Sequence, residues 1–217
     1  MKSGVIIPVY NEENNITKVV ESVKKYTPNI VVVDDGSTDN TAQKAEEAGA
    51  TVLKHLVNLG KGAAARTGCD YAYQQKFEQI ILLDGDGQHD PKEIPHFMKQ
   101  LENNDIVFGY REFNKNMPLI LRLGNQSINF ITKLLYGMDL KDTQGGYRAF
   151  NTKVYKKIRW RAGDYSMESE MIANAGRNKL KYSQIPIQTI YCDKYKGTTI
   201  LDGIKIVMKM LRWKLKC

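Results

Sequence analysis

Five consecutive residues, Asp84-Gly85-Asp86-Gly87-Gln88, have the types and spacing to do chemistry. They follow the apolar run QIILL at 79–83, so two carboxylates and an amide oxygen alternate on a loop leaving a buried strand. Hard oxygen donors on a backbone that glycine lets fold tightly suit Mg²⁺ or Mn²⁺ bridging a diphosphate. Asp84, Asp86 and Gln88 are the expected ligands. A helix cap explains only the next stretch, where Asp90-Pro91-Lys92-Glu93 puts Asp at the cap, Pro at the first helical position and Glu at the third. Capping needs Asp90 and leaves Asp84 and Asp86 unexplained.

Two further polar clusters end apolar runs. In Pro8-Val9-Tyr10-Asn11-Glu12 the proline cannot donate to a ladder, which fits a strand leaving its sheet. Tyr10 offers a flat face to a nucleobase and Glu12 an acceptor to base or ribose; the structural alternative is a turn with Asn14 capping the next helix. In Asp34-Asp35-Gly36-Ser37-Thr38, Asp35 suits ribose hydroxyls or base nitrogens, or completes a turn. Asn58-Leu59-Gly60-Lys61-Gly62 precedes a helix but lacks both G-x-x-x-x-G-K-[ST] and G-x-G-x-x-G. That disfavours a P-loop nucleotidase and a dinucleotide oxidoreductase, and leaves Lys61 and Arg66 to steer phosphates.

The elements that must position these groups alternate along the first half. Short β-branched runs at 4–9, 30–33, 51–53 and 79–83 read as strands, and helical spacing follows with Ile16, Val19, Val20 and Val23 on one face. Ser37 or Thr38 is placed to cap the second helix, which Gly49 closes, and 62–73 reads as a third. Strands that are apolar throughout and alternate with helices predict an α/β fold with a mostly parallel sheet covered on both faces. Ligands then bind beyond the carboxyl ends of the strands, where Asn11-Glu12, Asp34-Asp35 and Asp84-Asp86 converge on one rim. Beyond a strand at 105–109 the pattern loosens: a loop at 111–118, a helix at 119–136, a glycine-containing loop at 142–148, a helix at 167–175 and a late strand at 182–190. Residues 1–200 read as one domain and 201–217 as a basic amphipathic helix appended to it.

Composition sets the bounds. A chain of 217 residues, 42% hydrophobic and 26% charged, fits one globular domain with a sizeable core. No stretch approaches ~20 uninterrupted apolar residues, and the opening residues run straight into a strand, unlike a secretion signal. Cys69, Cys192 and Cys217 form no C-x-x-C pair, and His55, His89 and His96 have no ligand spacing. The expected compartment is therefore the cytoplasm. Lys and Arg number 32 against 24 Asp and Glu, a net charge of +8 that favours anionic partners or a basic solvated surface.

IIPVYNEENNI, VVVDDGSTDNT, NLGKGAAARTG, LLDGDGQHDP and DTQGGYRAF occur in that order. Together they resemble glycosyltransferase family 2, of the Rossmann-like GT-A fold, and within it the polyprenol-phosphate (dolichol-phosphate) mannosyl- and glucosyltransferase branch. The resemblance implies a metal-dependent, inverting transfer of a hexose from GDP-mannose, UDP-glucose or UDP-N-acetylglucosamine to a polyprenyl phosphate. It implies that Pro8, Tyr10, Glu12, Val33 and Asp35 surround the nucleoside, and that Asp84, Gly85, Asp86 and Gln88 hold metal and diphosphate. Arg111 would bridge donor and acceptor phosphates, and Arg122, with Gln126 on the same helix, would grip the lipid phosphate. Asp142 and Gly145-Gly146-Tyr147-Arg148 would line the sugar pocket, and Glu168 or Glu170 would touch sugar hydroxyls or lie on the helix surface. The late Arg and G-x-S-K segment of mannosyl-transferring members is replaced by Lys194 and Gly197-Thr198-Thr199-Ile200. Lys194 then donates as a point charge in place of a fork, which leaves the sugar open.

A phosphate acceptor is already anionic and attacks without a general base, so positioning and charge stabilisation would carry catalysis. A sugar hydroxyl acceptor would need a base, with Asp142 or a carboxylate near it the candidate. A nucleotidyltransferase is the rival enzyme, but it opens with a glycine-rich basic loop where this chain has PVYNEE. A nucleic-acid binder is disfavoured because three acidic strand ends repel phosphate. The 119–136 helix and the basic tail suggest peripheral contact with the cytoplasmic membrane face, which a polyprenyl acceptor would require. In the tail Ile204, Val207, Met208, Leu211 and Leu215 share one helical face, with Trp213 as an interfacial aromatic; the alternative is that this stripe packs on its own domain.

Overall fold

Every residue of β1 (Ser3–Val9), β2 (Ile30–Asp34) and β4 (Gln79–Leu82) is buried, as strands covered on both faces require. The computed structural model describes residues 2–111, 119–188 and 200–215. Between these strands lie α1 (Ile16–Lys24), α2 (Thr41–Glu47), β3 (Thr51–Lys54) and α3 (Lys61–Gln74). After β4 come α4 (Ile94–Leu101), β5 (Ile106–Arg111), α5 (Leu119–Tyr136) and β6 (Arg148–Asn151). The chain continues through α6 (Tyr155–Ile158), α7 (Met167–Arg177), β7 (Tyr182–Ile187) and α8 (Ile200–Leu215).

These strands form one seven-stranded sheet in the order β3-β2-β1-β4-β6-β5-β7. All pairings are parallel except those of β6, which runs antiparallel to both β4 and β5. The expectation of a mostly parallel sheet holds, but β6 was not legible, because it has four residues and directly follows a glycine loop. Its direction matters. Arg148, its first residue, pairs with Leu82 at the end of β4 and with Phe108 on β5, so the 142–147 turn lands on the rim of the acidic loop.

One face of the sheet is covered by α3, α5, α6, α7 and α8, with Ala64, Ala65, Cys69, Tyr155, Met171 and Met210 in its core. The other is covered by α1, α2 and α4 through residues such as Val20, Ala45 and Phe97. At Gly68 a Cβ would stand 2.3 Å from the Ile6 side chain, so α3 lies on the sheet as closely as a glycine permits.

Two helix starts differ from expectation. Asn14 does not cap α1; Asn15 holds the cap position and its amide donates to Glu12 Oε2 at 2.7 Å. Neither Ser37 nor Thr38 caps α2, because both are engaged with Asn11, and Asp39 instead accepts from the Thr41 amide at 3.0 Å. Gly49 (φ +95°) and the Asp90 cap, which accepts from Lys92 N at 3.0 Å, are as expected.

The tail helix docks on the domain. Met210 of α8 is fully buried and its carbonyl accepts from Tyr136 Oη at 2.6 Å. Val207 and Trp213 join the core, Arg177 donates to the Trp213 carbonyl, and Lys209 pairs with Asp164 at 2.7 Å. The expected apolar stripe contained Val207 together with Met208 and Leu211, but those two are exposed. The buried stripe runs through 207, 210 and 213 instead. Among the described residues no helix is long and apolar enough to cross a membrane.

Candidate active site

The cleft opens where β1 and β4 part. Their pairing ends at Ile6 and Leu82, whereas β1 stays with β2 as far as Val9 and Asp34. Pro8 sits past the last β4 partner, so its missing N–H leaves no ladder bond unmade. Beyond it Tyr10 is 45% exposed and Asn11 takes a left-handed φ of 54°, which asparagine tolerates. Asn11 ties the two strand ends together: its amide donates to Ser37 Oγ and its Oδ1 accepts from Thr38 N, each at 2.9 Å. Glu12 N donates to Thr41 Oγ1 at 2.8 Å.

Two residues expected around a nucleoside lie deeper than that role requires. Val33 is fully buried in the core beneath α3, so its side chain cannot reach a ligand. Asp35 is 2% exposed and already occupied. His55 Nδ1 lies 2.7 Å from its Oδ1, which also accepts from Leu59 N at 3.0 Å, and its Oδ2 accepts from Gly60 N at 2.7 Å. Asp35 thus fixes the loop that leads into Lys61.

Lys61 is the hub of the rim. Its ammonium lies 2.9 and 3.0 Å from the two oxygens of Asp84 and 3.1 Å from Glu168 Oε1. Burial works against its charge, but the two carboxylates outweigh it and hold the Lys61 pKa above the ordinary lysine value. Burial likewise opposes ionisation of Asp84, yet Lys61 and the other charges around it keep its pKa below the usual carboxylate value. Gly146 makes this contact possible: a Cβ there would stand 2.6 Å from Asp84 Oδ2 and 3.0 Å from Lys61 Nζ. Gly85 is also forced, since its Cβ would meet Val9 Cγ1 at 2.3 Å. Asp86 Oδ1 accepts from Gln88 N at 3.0 Å, which turns the loop back over the site.

His89, which has no ligand spacing in the sequence, holds this loop from below. His89 Nδ1 accepts from the Asp84 backbone N–H at 3.2 Å, and its ring stacks on Tyr147 at 4.9 Å. Burial pushes the His89 pKa down, so the ring is neutral with its proton on Nε2. Tyr147 and Arg148 do not line a pocket. Tyr147 is wedged between His89 and Phe97, and Arg148 is 1% exposed. The Arg148 guanidinium donates to the carbonyls of Gly145 at 2.8 Å, Thr143 at 2.8 Å and Glu168 at 2.6 Å.

Arg111 leaves the end of β5 and its Nε donates to Asp142 Oδ2 at 2.7 Å. Asp142 Oδ1 accepts from Arg111 Nη2 at 3.3 Å and from Gln144 N at 3.0 Å. Burial resists its ionisation, but Arg111 prevails and lowers the Asp142 pKa. Glu168 and Glu170 are buried, not surface charges; Glu170 Oε2 accepts from Ala162 N at 2.9 Å, and Glu168 Oε2 has no hydrogen-bond partner among the described residues. Gln126 is exposed on α5 and shares its helix with Arg122, whose side chain lies outside the described residues, as does Lys194. Arg66, expected to steer phosphates, instead donates to the Arg161 carbonyl at 2.9 Å.

The profile of "Glycosyl transferase family 2" matches residues 4–159, which contain all three acidic strand ends, Lys61, Arg111 and Asp142. The chain belongs to glycosyltransferase family 2. It is 36% identical, over 97% of its length and 95% of the relative's, to the UDP-N-acetylglucosamine–dolichyl-phosphate N-acetylglucosaminyltransferase of Methanococcus voltae. It is 27% identical to the polyprenol monophosphomannose synthase of Mycolicibacterium smegmatis, covering 98% of this chain and 86% of that one. Among solved structures, glucosyl-3-phosphoglycerate synthase of Mycobacterium tuberculosis superposes with a TM-score of 0.77 at 17% identity. The match covers 96% of this chain and 79% of that one, and shows a shared GT-A fold. This glycosyltransferase thus places its acidic loop, its lysine and its arginine on the carboxyl-end rim of a GT-A sheet.

Proposed function

We propose that this glycosyltransferase moves a hexose, with inversion, from a nucleoside-diphosphate sugar to a polyprenyl phosphate. The observation that carries the choice of acceptor is the Arg111–Asp142 pair. Asp142, the named candidate base for a hydroxyl acceptor, has both oxygens engaged by Arg111 and a pKa below the usual value. A weakened base is a poor proton acceptor. An oriented guanidinium is what two converging phosphates need. Relatives named for dolichyl-phosphate and polyprenol transfer support the same reading.

The residues present fit a divalent cation. Among the described residues no group of three or more carboxylate, imidazole or thiol side chains is placed to hold a metal alone. Asp84 and Asp86 supply two hard carboxylates, and Mg²⁺ commonly takes one or two from protein and the rest from water and substrate phosphates. Asp84 and Asp86, with the Gln88 amide oxygen, would hold it, and the ion would neutralise charge on the departing diphosphate. Solved relatives of the fold contain Mg²⁺ with UDP and Mn²⁺ with UDP-glucose. The protein's own groups do the rest. Tyr10 and Glu12 receive the nucleoside, Asp35 fixes the loop beneath it, and Lys61 presents its charge to the phosphates. Arg111, held by Asp142, stabilises the charge that develops as the sugar moves.

The acceptor tail stays in a bilayer, so the protein works against the cytoplasmic membrane face. Phe130 and Leu134 on α5 and Met208 and Leu211 on α8 are exposed apolar residues on two contacting helices, with exposed Lys205 and Arg212 beside them. Apolar and basic side chains together suit an anionic leaflet. Transfer assayed with UDP-N-acetylglucosamine, UDP-glucose and GDP-mannose against short polyprenyl phosphates, with and without Mn²⁺, tests the proposal. Activity that requires one donor, the lipid phosphate and the ion supports it. Efficient transfer to a simple sugar hydroxyl with none to the lipid phosphate overturns it.

A further inference from the structure

Lys61 stands where its charge conflicts with a metal. Its ammonium makes contacts of 2.9 and 3.0 Å to both oxygens of Asp84, the first expected metal ligand, and reaches Glu168 Oε1 at 3.1 Å. The arrangement is built. Gly146 leaves the space it needs, and Glu168 is 3% exposed with its second oxygen, Oε2, buried and without a partner among the described residues. A buried carboxylate with half its acceptor capacity unused belongs to a constellation that a ligand completes. Lys61 carries its charge on a flexible four-carbon stem, its side chain is 22% exposed, and the Tyr165 ring lies 5.7 Å from its ammonium.

We propose that Lys61 is the resting counter-ion of this site. While the donor is absent it neutralises Asp84 and Glu168 and keeps a bare divalent cation off Asp84. When the cation arrives already bound to a nucleoside diphosphate, Lys61 yields Asp84 to the metal and turns to the diphosphate, and Glu168 is released toward the sugar. Metal and nucleotide therefore bind as one ligand, each weakly alone. The inference rests on the metal reading of Asp84, and its test separates the two.

Mn²⁺ binding is measured by the loss of the free-ion electron paramagnetic resonance signal, with and without UDP and, in parallel, GDP. In the wild-type chain the nucleoside diphosphate tightens Mn²⁺ binding by about tenfold or more, the usual size of a coupling between sites. Lys61→Met removes the competing charge. Mn²⁺ alone then binds about tenfold more tightly, the nucleotide binds less tightly, and the coupling collapses. Because Lys61→Met leaves two carboxylates facing each other, the same measurements are made on Lys61→Met/Glu168→Gln, which keeps only Asp84 charged. Circular dichroism checks that each variant is folded, and the double variant decides if the single one is not. If Mn²⁺ alone binds the lysine variants no better than wild type, while nucleotide-dependent Mn²⁺ uptake is intact in wild type, the counter-ion role is overturned and the metal site stands. Absence of Mn²⁺ uptake in every arm overturns the metal site and this inference with it.

Discussion

Replacing Arg148 with methionine separates a strut from a substrate contact. The guanidinium is 1% exposed and donates to three carbonyls at 2.6–2.8 Å, two in the 142–147 turn and one at the start of α7. Burial pushes its pKa down to about 10, so it still carries its charge at neutral pH. A hydrogen bond to a charged group contributes roughly 1.5–3 kcal/mol, but three on one group are not additive. Methionine fills much of the volume but removes the donor from the Gly145 and Thr143 carbonyls and one of the donors to the Glu168 carbonyl, so the expected loss is about 3–5 kcal/mol, the range for breaking a buried charged network. For a chain of this size that lowers the melting temperature by roughly 6–20 °C. Urea unfolding reads the loss as a lower midpoint at unchanged slope. Well below that midpoint the KM for the donor sugar should be close to wild type, since the side chain does not reach the cleft. A loss under about 1 kcal/mol together with a large rise in donor KM would refute the reasoning, because it would put Arg148 in the sugar pocket.

Asp86→Ala should abolish transfer and nucleotide-dependent Mn²⁺ binding with little change in the melting temperature; near-normal turnover, or activity that survives chelation, would remove its metal role. Arg111→Met should lower kcat by about 10²–10³, as loss of one donor to developing charge does elsewhere, and Asp142→Asn should lower kcat in the same direction because it loosens that arginine. If the acceptor is the lipid phosphate, Arg122→Ala should mainly raise its apparent KM, measured with a short polyprenyl phosphate. Burial works against ionisation of Asp164, but Lys209 and Ser166 prevail and hold its pKa at about 2. A lowered carboxylate contributes stability above its unfolded value of about 3.9, and that stability is lost as pH falls through about 2. The carboxylate is 61% exposed, so the stability difference between wild type and Asp164→Asn should stay under about 1 kcal/mol at pH 6 and vanish near pH 2 in urea titrations.

Much of the sheet was legible because buried parallel strands are apolar from end to end. GVIIPV, IVVV and QIILL needed no periodicity to stand out, and the helices between them had room for a clear apolar face. β6 escaped because four residues after two glycines carry no period, and its place depends on hydrogen bonds to β4 and β5 that lie far away in sequence. The tail was read as a helix, but its buried face was assigned from hydrophobicity alone. The expected stripe leaves out Met210 and places Trp213 at an interface, whereas Met210 is buried and Trp213 half-buried because α5 and α7 meet them there.

At the site, residue types were legible and partners were not. The DGDGQ loop announces itself through composition, yet nothing in its spacing says that Lys61, 23 residues earlier, will lie against Asp84, or that Glu168 will close the triad. The same limit separates Asp35 from its expected role, since a carboxylate at a strand end suits ribose until His55 and two backbone amides are found on it. It also explains Asp142. A lone acid in DTQGGYR reads as a base, whereas the acid found beneath Arg111 is the group that aims a cation. Asp35, Asp84 and Asp142 lie at the end of a strand or in the turn that β6 brings there, Glu168 starts α7, and each is matched by a lysine, an arginine, a histidine or amides from another segment. A rim so balanced carries its acidic groups in the folded chain without mutual repulsion. An incoming diphosphate and its cation can then exchange with partners already in place.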